Sequence, residues 1–452
     1  MIDQLRKLIG SDKVTDHPTT LESVAIDESA LTPVTPRALV WAETAADIET
    51  VVKFAYEEEI PLTARGAGSA LEGSTIPLAE GIVLDFSRMK RVLEFWPEDL
   101  QVRVEPGVVY DQLNEFLKRE SLFFPPAPGG SSDVATIGGM VSTNASGIYS
   151  VKYGCTKDYV LQLEVVDGTG RLHRFGNRAV KRSSGYNLID LVVGSEGTLA
   201  LITAVTLRLQ GIPEGNRRIA FKFKSETDAA AAVSEMMRYG LDLAAVEYLD
   251  RDVIAALNLL NDYGLEETAS LFLEIHGPAP VLDANQQVVA EIVTDQGGEP
   301  LTLTSGQNPW EIRHHVTDAI KLRRPGYSII RNDVAFPISK LPEMVEYCRL
   351  LARESGLLVH TFGHVGIGLL HALTLARRQN KVEWQLGGEI NRKIIARAVA
   401  LGGTISGEHG IGLGHKEMFQ REQEQSLELM RSIKQVLDPR GILNPGKIID
   451  PA

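Results

Sequence analysis

Gly403-Thr-Ile-Ser-Gly-Glu408-His409-Gly-Ile-Gly-Leu-Gly414 sets a carboxylate beside an imidazole in a run that holds five glycines. Glycine loses the most chain entropy on folding and packs no side chain, so such a run predicts positive φ angles or a backbone pressed close to a bound group. Glu408 and His409 are therefore candidates for moving a proton; the competing reading is a solvated glycine turn that carries an ordinary pair. Two further imidazoles, His364 and His371, lie in the segment Gly363-His-Val-Gly-Ile-Gly-Leu-Leu-His371. Nitrogen and carboxylate donors suit a borderline divalent metal such as zinc. Spacing alone leaves open a set of polar residues that line a pocket by hydrogen bonding.

Three other segments have the composition of ligand-binding loops. Arg65-Gly66-Ala67-Gly68-Ser69 follows a strand-like stretch, so its amides could form a nest for a pyrophosphate, with Arg65 adding charge. No Gly-Lys-Ser/Thr follows, which excludes a Walker A loop, and Gly73 and Pro77 break the helix that a dinucleotide fingerprint needs. Ala135-Thr136-Ile-Gly138-Gly139-Met-Val-Ser142-Thr-Asn144-Ala145-Ser-Gly147 offers hydroxyls, an amide and unobstructed backbone, and Val193-Gly-Ser-Glu196-Gly197-Thr198 is the third. One large polar cofactor threaded across one domain accounts for all three together.

The elements that position these groups are α+β in pattern. Ala38–Ala42, Pro61–Ala64, Ile82–Asp85 and Gln101–Glu105 read as strands, and Thr44 with Asp47 reads as a capping box that opens a helix through about Glu58. Tyr110–Glu120 has helical periodicity. From Leu161 to Leu209, apolar β-branched runs separated by turns such as Asp167-Gly168 predict hairpins. Beyond Gly211 the order strand, helix, strand recurs: Arg218–Lys224, Glu226–Tyr239, Ala244–Leu249; Leu271–Ile275, Val281–Thr294, Leu301–Thr304; Ser328–Ala335, Lys340–Glu354, Leu357–Thr361. This predicts an antiparallel sheet covered on one face by helices. Residues 1–212, 213–425 and 426–452 are read as a first domain, a second domain and a segment that returns to the first. The tail Leu443-Asn-Pro-Gly-Lys447 is expected to be extended.

The 452 residues include 46 basic and 59 acidic side chains, and the net charge of −13 argues against nucleic acid as a partner. Cys155 and Cys348 are too few to ligate an iron–sulfur cluster within the chain. The N-terminal stretch carries scattered charges and no export signal is read in it. A cytoplasmic protein, peripheral to the inner membrane at most, is the expectation.

Across nearly its whole length the chain resembles the flavoprotein family that includes vanillyl alcohol oxidase, and within it the glycolate oxidase flavin subunit, D-lactate dehydrogenase and D-2-hydroxyglutarate dehydrogenase. The resemblance is carried by Pro61–Gly73, Pro125–Gly154, Val192–Thr198, Gly363–His371, Gly403–Gly412 and Leu443–Lys447. It implies a two-part FAD-binding domain of the vanillyl-alcohol-oxidase type with an antiparallel-sheet cap domain that carries substrate groups. Residue by residue, it implies that Arg65, Gly66, Ala67, Gly68, Ser69, Ala70 and Leu71 wrap the pyrophosphate. Pro128, Ala135, Thr136, Gly138, Gly139, Ser142, Asn144, Ala145 and Gly147 would follow the flavin and its ribityl chain. Glu196, Gly197 and Ile202 would lie along the adenosine half, and Asn444 in the tail is also assigned to the cofactor. Ala67, Gly68 and Ser69 stand where some relatives carry a flavin-linking histidine, so noncovalent FAD is expected.

The resemblance further implies His364, His371 and Glu408 as ligands to a divalent metal such as zinc, His409 as general base and Arg313 as the clamp on a substrate carboxylate. The implied reaction takes a D-2-hydroxy acid to its 2-oxo acid, with the hydride passing to flavin N5. Where many relatives have Gly-Asp-Gly-Asn-Leu-His, this chain has Gly366-Ile-Gly-Leu-Leu-His371, and Leu373 replaces an asparagine of dicarboxylate-handling members. A small or apolar-tailed acid such as lactate or glycolate is therefore expected. An iron–sulfur subunit, an electron-transfer flavoprotein or a quinone would take the electrons, and homodimerisation is left open. The alternatives are a redox-neutral flavin transferase like alkyl-dihydroxyacetonephosphate synthase, a noncatalytic flavin subunit of an electron-transfer complex, and a metal-dependent hydrolase.

Overall fold

The computed structural model describes residues 1–303 and 307–449. The fold is α+β and divides into two units. The first comprises Met1–Ser146, Cys155–Ile212 and Glu408–Ala452; the second comprises Gly147–Gly154 and Pro213–Gly407.

In the first unit, β1 (Val14–Thr15), β2 (Ala38–Trp41), β3 (Leu62–Arg65) and β4 (Ile82–Asp85) form a sheet in the order β1-β2-β4-β3. The β2–β4 and β4–β3 pairs are parallel. The helix Ala45–Glu58 connects β2 to β3 and starts where the sequence predicts: the Thr44 hydroxyl accepts from Asp47 N at 3.1 Å, and Asp47 Oδ2 accepts from Thr44 N at 3.0 Å. Its residues Ile48, Val51, Val52 and Ala55 are fully buried against Val40, Leu62 and Leu84. Burying each of the larger aliphatic side chains contributes roughly 1.5–3 kcal/mol.

A second, antiparallel sheet in this unit follows the order β5-β6-β10-β8-β9, from β5 (Val92–Trp96), β6 (Gln101–Val104), β8 (Val160–Val166), β9 (Leu172–Gly176) and β10 (Leu201–Arg208). The hairpin turn between β8 and β9 carries Asp167-Gly168 as predicted. A small pair joins β7 (Leu122–Phe123) to β11 (Gln210–Gly211).

The second unit is built on a seven-stranded antiparallel sheet. Its strands are β12 (Asn216–Phe223), β13 (Leu243–Leu249), β14 (Ala269–His276), β15 (Gly298–Pro300), β16 (Ser328–Ala335), β17 (Val359–Gly363) and β18 (Leu369–Ala376), in the order β15-β12-β14-β13-β17-β18-β16. The helices Glu226–Tyr239, Ala279–Asp295 and Leu341–Ser355 occupy the predicted places. The strand expected over 301–304 lies earlier, at β15, because the chain turns at Gly297 (φ 73°) and pairs at once with β12. Leu301 N still donates to Ala220 O at 2.9 Å, and Thr304 lies outside the described residues.

Two other expectations are corrected. The chain re-enters the first unit at Glu408, ahead of 426, because the amides of Leu413 and Gly414 both bind the Glu72 carbonyl. The tail Leu443–Lys447 is turned rather than extended. Leu443 makes a single parallel bridge with Leu62, after which Asn444 (φ 41°) and Gly446 (φ 82°) bend the chain. The Asn444 amide holds this bend by donating to the Ser74 carbonyl at 2.9 Å and the Glu196 carbonyl at 2.7 Å. Among the described residues, no helix is long and apolar enough to cross a membrane.

Candidate active site

In the first unit, β3 ends at Arg65 and the chain turns through Gly66–Leu71. Gly68 has φ +74°, and a Cβ there would fall 2.1 Å from the Arg65 guanidinium, so the position requires glycine. Arg65 Nη1 donates to the Ile26 carbonyl at 2.8 Å and to the Thr75 hydroxyl at 3.4 Å. These bonds brace the loop's own fold. The amides of Gly66, Ala67, Gly68 and Ser69 donate to no acceptor among the described residues, although Gly68 is buried. Buried N–H groups without partners are rare, and successive ones in a turn suit an anion.

The other small-residue loops converge on this turn. Thr136 caps the helix Ile137–Thr143 by accepting from Gly139 N at 3.2 Å, and a Cβ on Gly66 would stand 2.4 Å from the Thr136 hydroxyl. Gly138 is pressed against Pro106, 2.5 Å from where its Cβ would be. The third loop is laced to the second by Gly194 N to Val141 O at 2.9 Å and Glu196 N to Ser142 O at 2.8 Å. Gly197 sits against Ala64 on β3, its would-be Cβ at 3.5 Å, which closes the circuit.

The remaining assigned residues occupy the same unit with one exception. Ser131 joins Pro128 to Ala135 through backbone bonds. Asn144 (φ 51°) accepts from Lys157 N at 3.0 Å, and the Ala145 carbonyl accepts from the Thr156 hydroxyl at 2.7 Å. Ile202 is buried on β10. Gly147 is the exception, because it belongs to the second unit. The Glu196 carboxylate, assigned to the adenosine half, instead accepts from Ile411 N at 2.6 Å and Gly412 N at 2.9 Å. Burial pushes this carboxyl up to about 7 even with those bonds.

In the second unit, His364 follows β17 and His371 lies on β18, their rings 5.4 Å apart and edge to face. His364 Nδ1 donates to Glu247 Oε1 at 2.6 Å, and Arg313 Nε donates to Glu247 Oε2 at 2.7 Å. Burial raises the Glu247 carboxyl, but His364 and Arg313 outweigh it and hold the group below its usual range. Directing Nδ1–H at a carboxylate places the imidazole lone pair on Nε2, the arrangement that supports a metal-ligating histidine. The sequence reading missed Glu247. Its signal was a lone carboxylate in the apolar strand Leu243-Ala-Ala-Val-Glu-Tyr-Leu249, since a buried charge requires partners. Arg313 is no surface ion pair: its side chain is 13% exposed, and its guanidinium lies 4.7 Å from the Phe362 ring. Leu373 belongs to the apolar core with Phe362 and Ile312.

The glycine-rich run spans the unit boundary. In the second unit, Thr404–Ser406 runs along β16, and Gly407 N donates to the Asp333 carbonyl at 2.6 Å. A Cβ on Gly403 would lie 2.2 Å from the Ala335 carbonyl. In the first unit, Gly410 and Gly412 have positive φ, and a Cβ on Gly412 would lie 2.1 Å from the Glu72 carbonyl. These glycines therefore admit the chain's own backbone, where the sequence reading allowed for a bound group. Glu408 and His409 begin the returning segment and so belong to the first unit, where the second was expected. Glu408 Oε2 accepts from the Ser146 hydroxyl at 2.9 Å, and Oε1 lies 3.8 Å from His409 Nε2.

Residues 212–448 match the family described as FAD linked oxidases, C-terminal domain, and residues 36–176 match the FAD binding domain. The chain belongs to the FAD-linked oxidases. This FAD-linked oxidase is 34% identical to the probable mitochondrial D-lactate dehydrogenase of Danio rerio, over 100% of this chain and 92% of that protein. It is 31% identical to glycolate oxidase subunit GlcD of Bacillus subtilis, over 91% of this chain and 89% of that protein. Its fold matches 4-ethylphenol oxidase from Gulosibacter chungangensis with a TM-score of 0.80 at 18% identity, covering 100% of this chain and 97% of that one. The protein is accordingly an FAD-dependent oxidoreductase. The Gly66–Ser69 amides, which donate to no acceptor among the described residues, have the chemistry of an anion-binding turn.

Proposed function

We propose that this FAD-linked oxidase oxidises a D-2-hydroxy acid, lactate- or glycolate-like, to the corresponding 2-oxo acid. The observation that carries the reading is the set His364–Glu247–Arg313 beside His371, an imidazole oriented by a carboxylate, a second imidazole against it and a guanidinium on the same carboxylate. In this reading, as the resemblance implies, His364, His371 and Glu408 are the ligands of a divalent cation such as zinc, which two nitrogens and a carboxylate oxygen suit. Arg313 donates to Glu247 through Nε alone, and its Nη edge is suited to a substrate carboxylate. When bound, FAD supplies the hydride acceptor and the cation lowers the pKa of the hydroxyl it ligates. His409 takes the hydroxyl proton, and Glu408 beside it favours the imidazolium that results.

The reading of substrate size rests on Ile367, Leu369 and Leu373, which stand where the resemblance places polar side chains; Leu369 and Leu373 are buried on β18. Apolar side chains there offer nothing to a second carboxylate. The names of the relatives, D-lactate dehydrogenase and glycolate oxidase subunit, support the same substrate class. FAD is held noncovalently in this reading, since Ala67, Gly68 and Ser69 carry no group that attaches a flavin. Electrons then leave to an iron–sulfur subunit, an electron-transfer flavoprotein or a quinone. The direct test is product analysis: flavin-loaded protein given D-lactate and an artificial electron acceptor should form pyruvate in step with acceptor reduction. Acceptor reduction without a 2-oxo acid would reject the assignment.

A further inference from the structure

We infer that Glu196 is a positioning residue for His409: its carboxylate fixes the returning segment on which the proposed base stands. The inference rests on the function proposed above and adds to it a residue that works through the backbone.

Every polar group of Glu196 is engaged inside the first unit. Its N–H donates to the Ser142 carbonyl at 2.8 Å, and its own carbonyl accepts from the Asn444 amide at 2.7 Å. Oε1 accepts from Ile411 N at 2.6 Å and Oε2 from Gly412 N at 2.9 Å. The residue is buried and holds φ 50°, a left-handed backbone that persists outside glycine only where the surroundings fix it. One residue thus ties together the second small-residue loop, the third loop, the C-terminal turn and the returning segment.

The returning segment leans on the loops proposed to hold the flavin at two successive points. Ile411 and Gly412 bind the Glu196 carboxylate in the third loop, and Leu413 and Gly414 bind the carbonyl of Glu72, which directly follows the first loop. His409 precedes the first of these points by two residues, which an extended chain spans in about 7 Å. A shift of Ile411 therefore reaches the imidazole with little slack. Gly410 between them has φ 84°, and a Cβ on it would lie 2.8 Å from Glu196 Oε1, so the carboxylate lies against the link itself.

A carboxylate suits this task and an amide does not. With both oxygens as acceptors it holds two successive N–H groups. Burial opposes ionisation of this carboxyl, and the two amides and the buried Lys447 ammonium oppose burial. A glutamine turns its NH2 toward one of the two amides, donor against donor, and leaves that N–H without a partner. The backbone bonds of residue 196 to Ser142 and Asn444 are unaffected by that change, so the third loop keeps its place while the returning segment loosens.

The test compares flavin-loaded wild type, Glu196→Gln and Lys434→Ala under anaerobic conditions at alkaline pH, above the value of about 7 to which burial brings the Glu196 carboxyl. In Glu196→Gln the limiting rate of flavin reduction by D-lactate should fall roughly ten- to hundredfold, the scale of a reacting group misplaced by up to about 1 Å. The half-saturating concentration of D-lactate and the affinity for FAD should be nearly unchanged. Amide hydrogen exchange at Ile411 and Gly412 should quicken roughly tenfold, the loss of one hydrogen bond, while exchange at Gly194 stays as in wild type. Lys434→Ala disturbs the same unit without touching this carboxylate and should keep the wild-type limiting rate. An unchanged limiting rate in Glu196→Gln, unchanged exchange at Ile411 and Gly412, or an equal fall in rate in Lys434→Ala would overturn the inference. A wild-type protein reduced by no 2-hydroxy acid would instead overturn the function on which it rests, with the exchange result still deciding whether Glu196 anchors the segment.

Discussion

Glu247 receives the Nδ1 hydrogen of His364 at 2.6 Å while fully buried. Both residues lie within one unit, so this bond is part of the sheet's own architecture. Carboxylates that orient ligating histidines typically contribute ten- to hundredfold in metal affinity. Glu247→Gln should therefore weaken zinc binding by about that factor, measured by competition with a chromophoric chelator. Unaltered zinc affinity would separate Glu247 from any metal site.

Removing the proposed cation should stop turnover without releasing the flavin, because the loops proposed to hold the flavin and the histidine pair are built from different residues. Treatment with a strong chelator followed by gel filtration should give a yellow, inactive protein that recovers when zinc or a similar divalent ion is restored. His371→Ala should give the same yellow protein, without recovery. Full activity after verified removal of all metal would contradict the proposed ligand set.

Stability should carry the signature of Glu196. Its folded-state carboxyl lies near 7 because of burial, against an ordinary value near 4.3. Between those values the folded state holds a proton that the unfolded state has lost. This contribution is present below the ordinary value and is lost as pH rises toward about 7. The change is on the order of 3 kcal/mol. Denaturant titrations at several pH values should show this slope in wild type and a shallower one in Glu196→Gln. Identical slopes would refute a protonated Glu196.

Lys434 joins three parts of the first unit. Its ammonium donates to the Thr198 carbonyl at 2.6 Å and the Leu443 carbonyl at 2.8 Å, and pairs with Asp438. Lys434→Ala leaves the buried Asp438 carboxylate without its cation, held among the described residues only by the Ile442 and Leu443 amides, and should cost about 3–5 kcal/mol in urea unfolding. A loss below about 1 kcal/mol would show that solvent reaches the site.

The sequence was most legible where one local rule acts alone. Thr44 and Asp47 cap their helix as the spacing predicts, and the alternation in Asn216–Phe223 becomes β12. The three small-residue loops do meet in one unit, since residues without bulk permit close backbone approach. Sequence reasoning failed where a partner distant in the chain decides the outcome. The glycine run predicted positive φ angles or a bound group; Gly410 and Gly412 do take positive φ, but the close neighbours of the glycines at 403, 410, 412 and 414 are Ala335, Glu196 and Glu72, which no periodicity reveals. Glu247 escaped notice for the same reason: its partners lie 66 and 117 residues away. The excursion of Gly147–Gly154 into the second unit left no mark in composition.

The central claim is that His409 removes the hydroxyl proton of a D-2-hydroxy acid as its hydride leaves for the flavin. The most direct measurement is anaerobic mixing of flavin-loaded protein with D- and L-lactate, following the visible absorption of oxidised flavin, in wild type and in His409→Ala. Wild type should bleach rapidly with the D enantiomer alone, and His409→Ala should stay yellow with its flavin bound. Bleaching that persists at the wild-type rate in His409→Ala, or wild type that bleaches with neither enantiomer, would contradict the account.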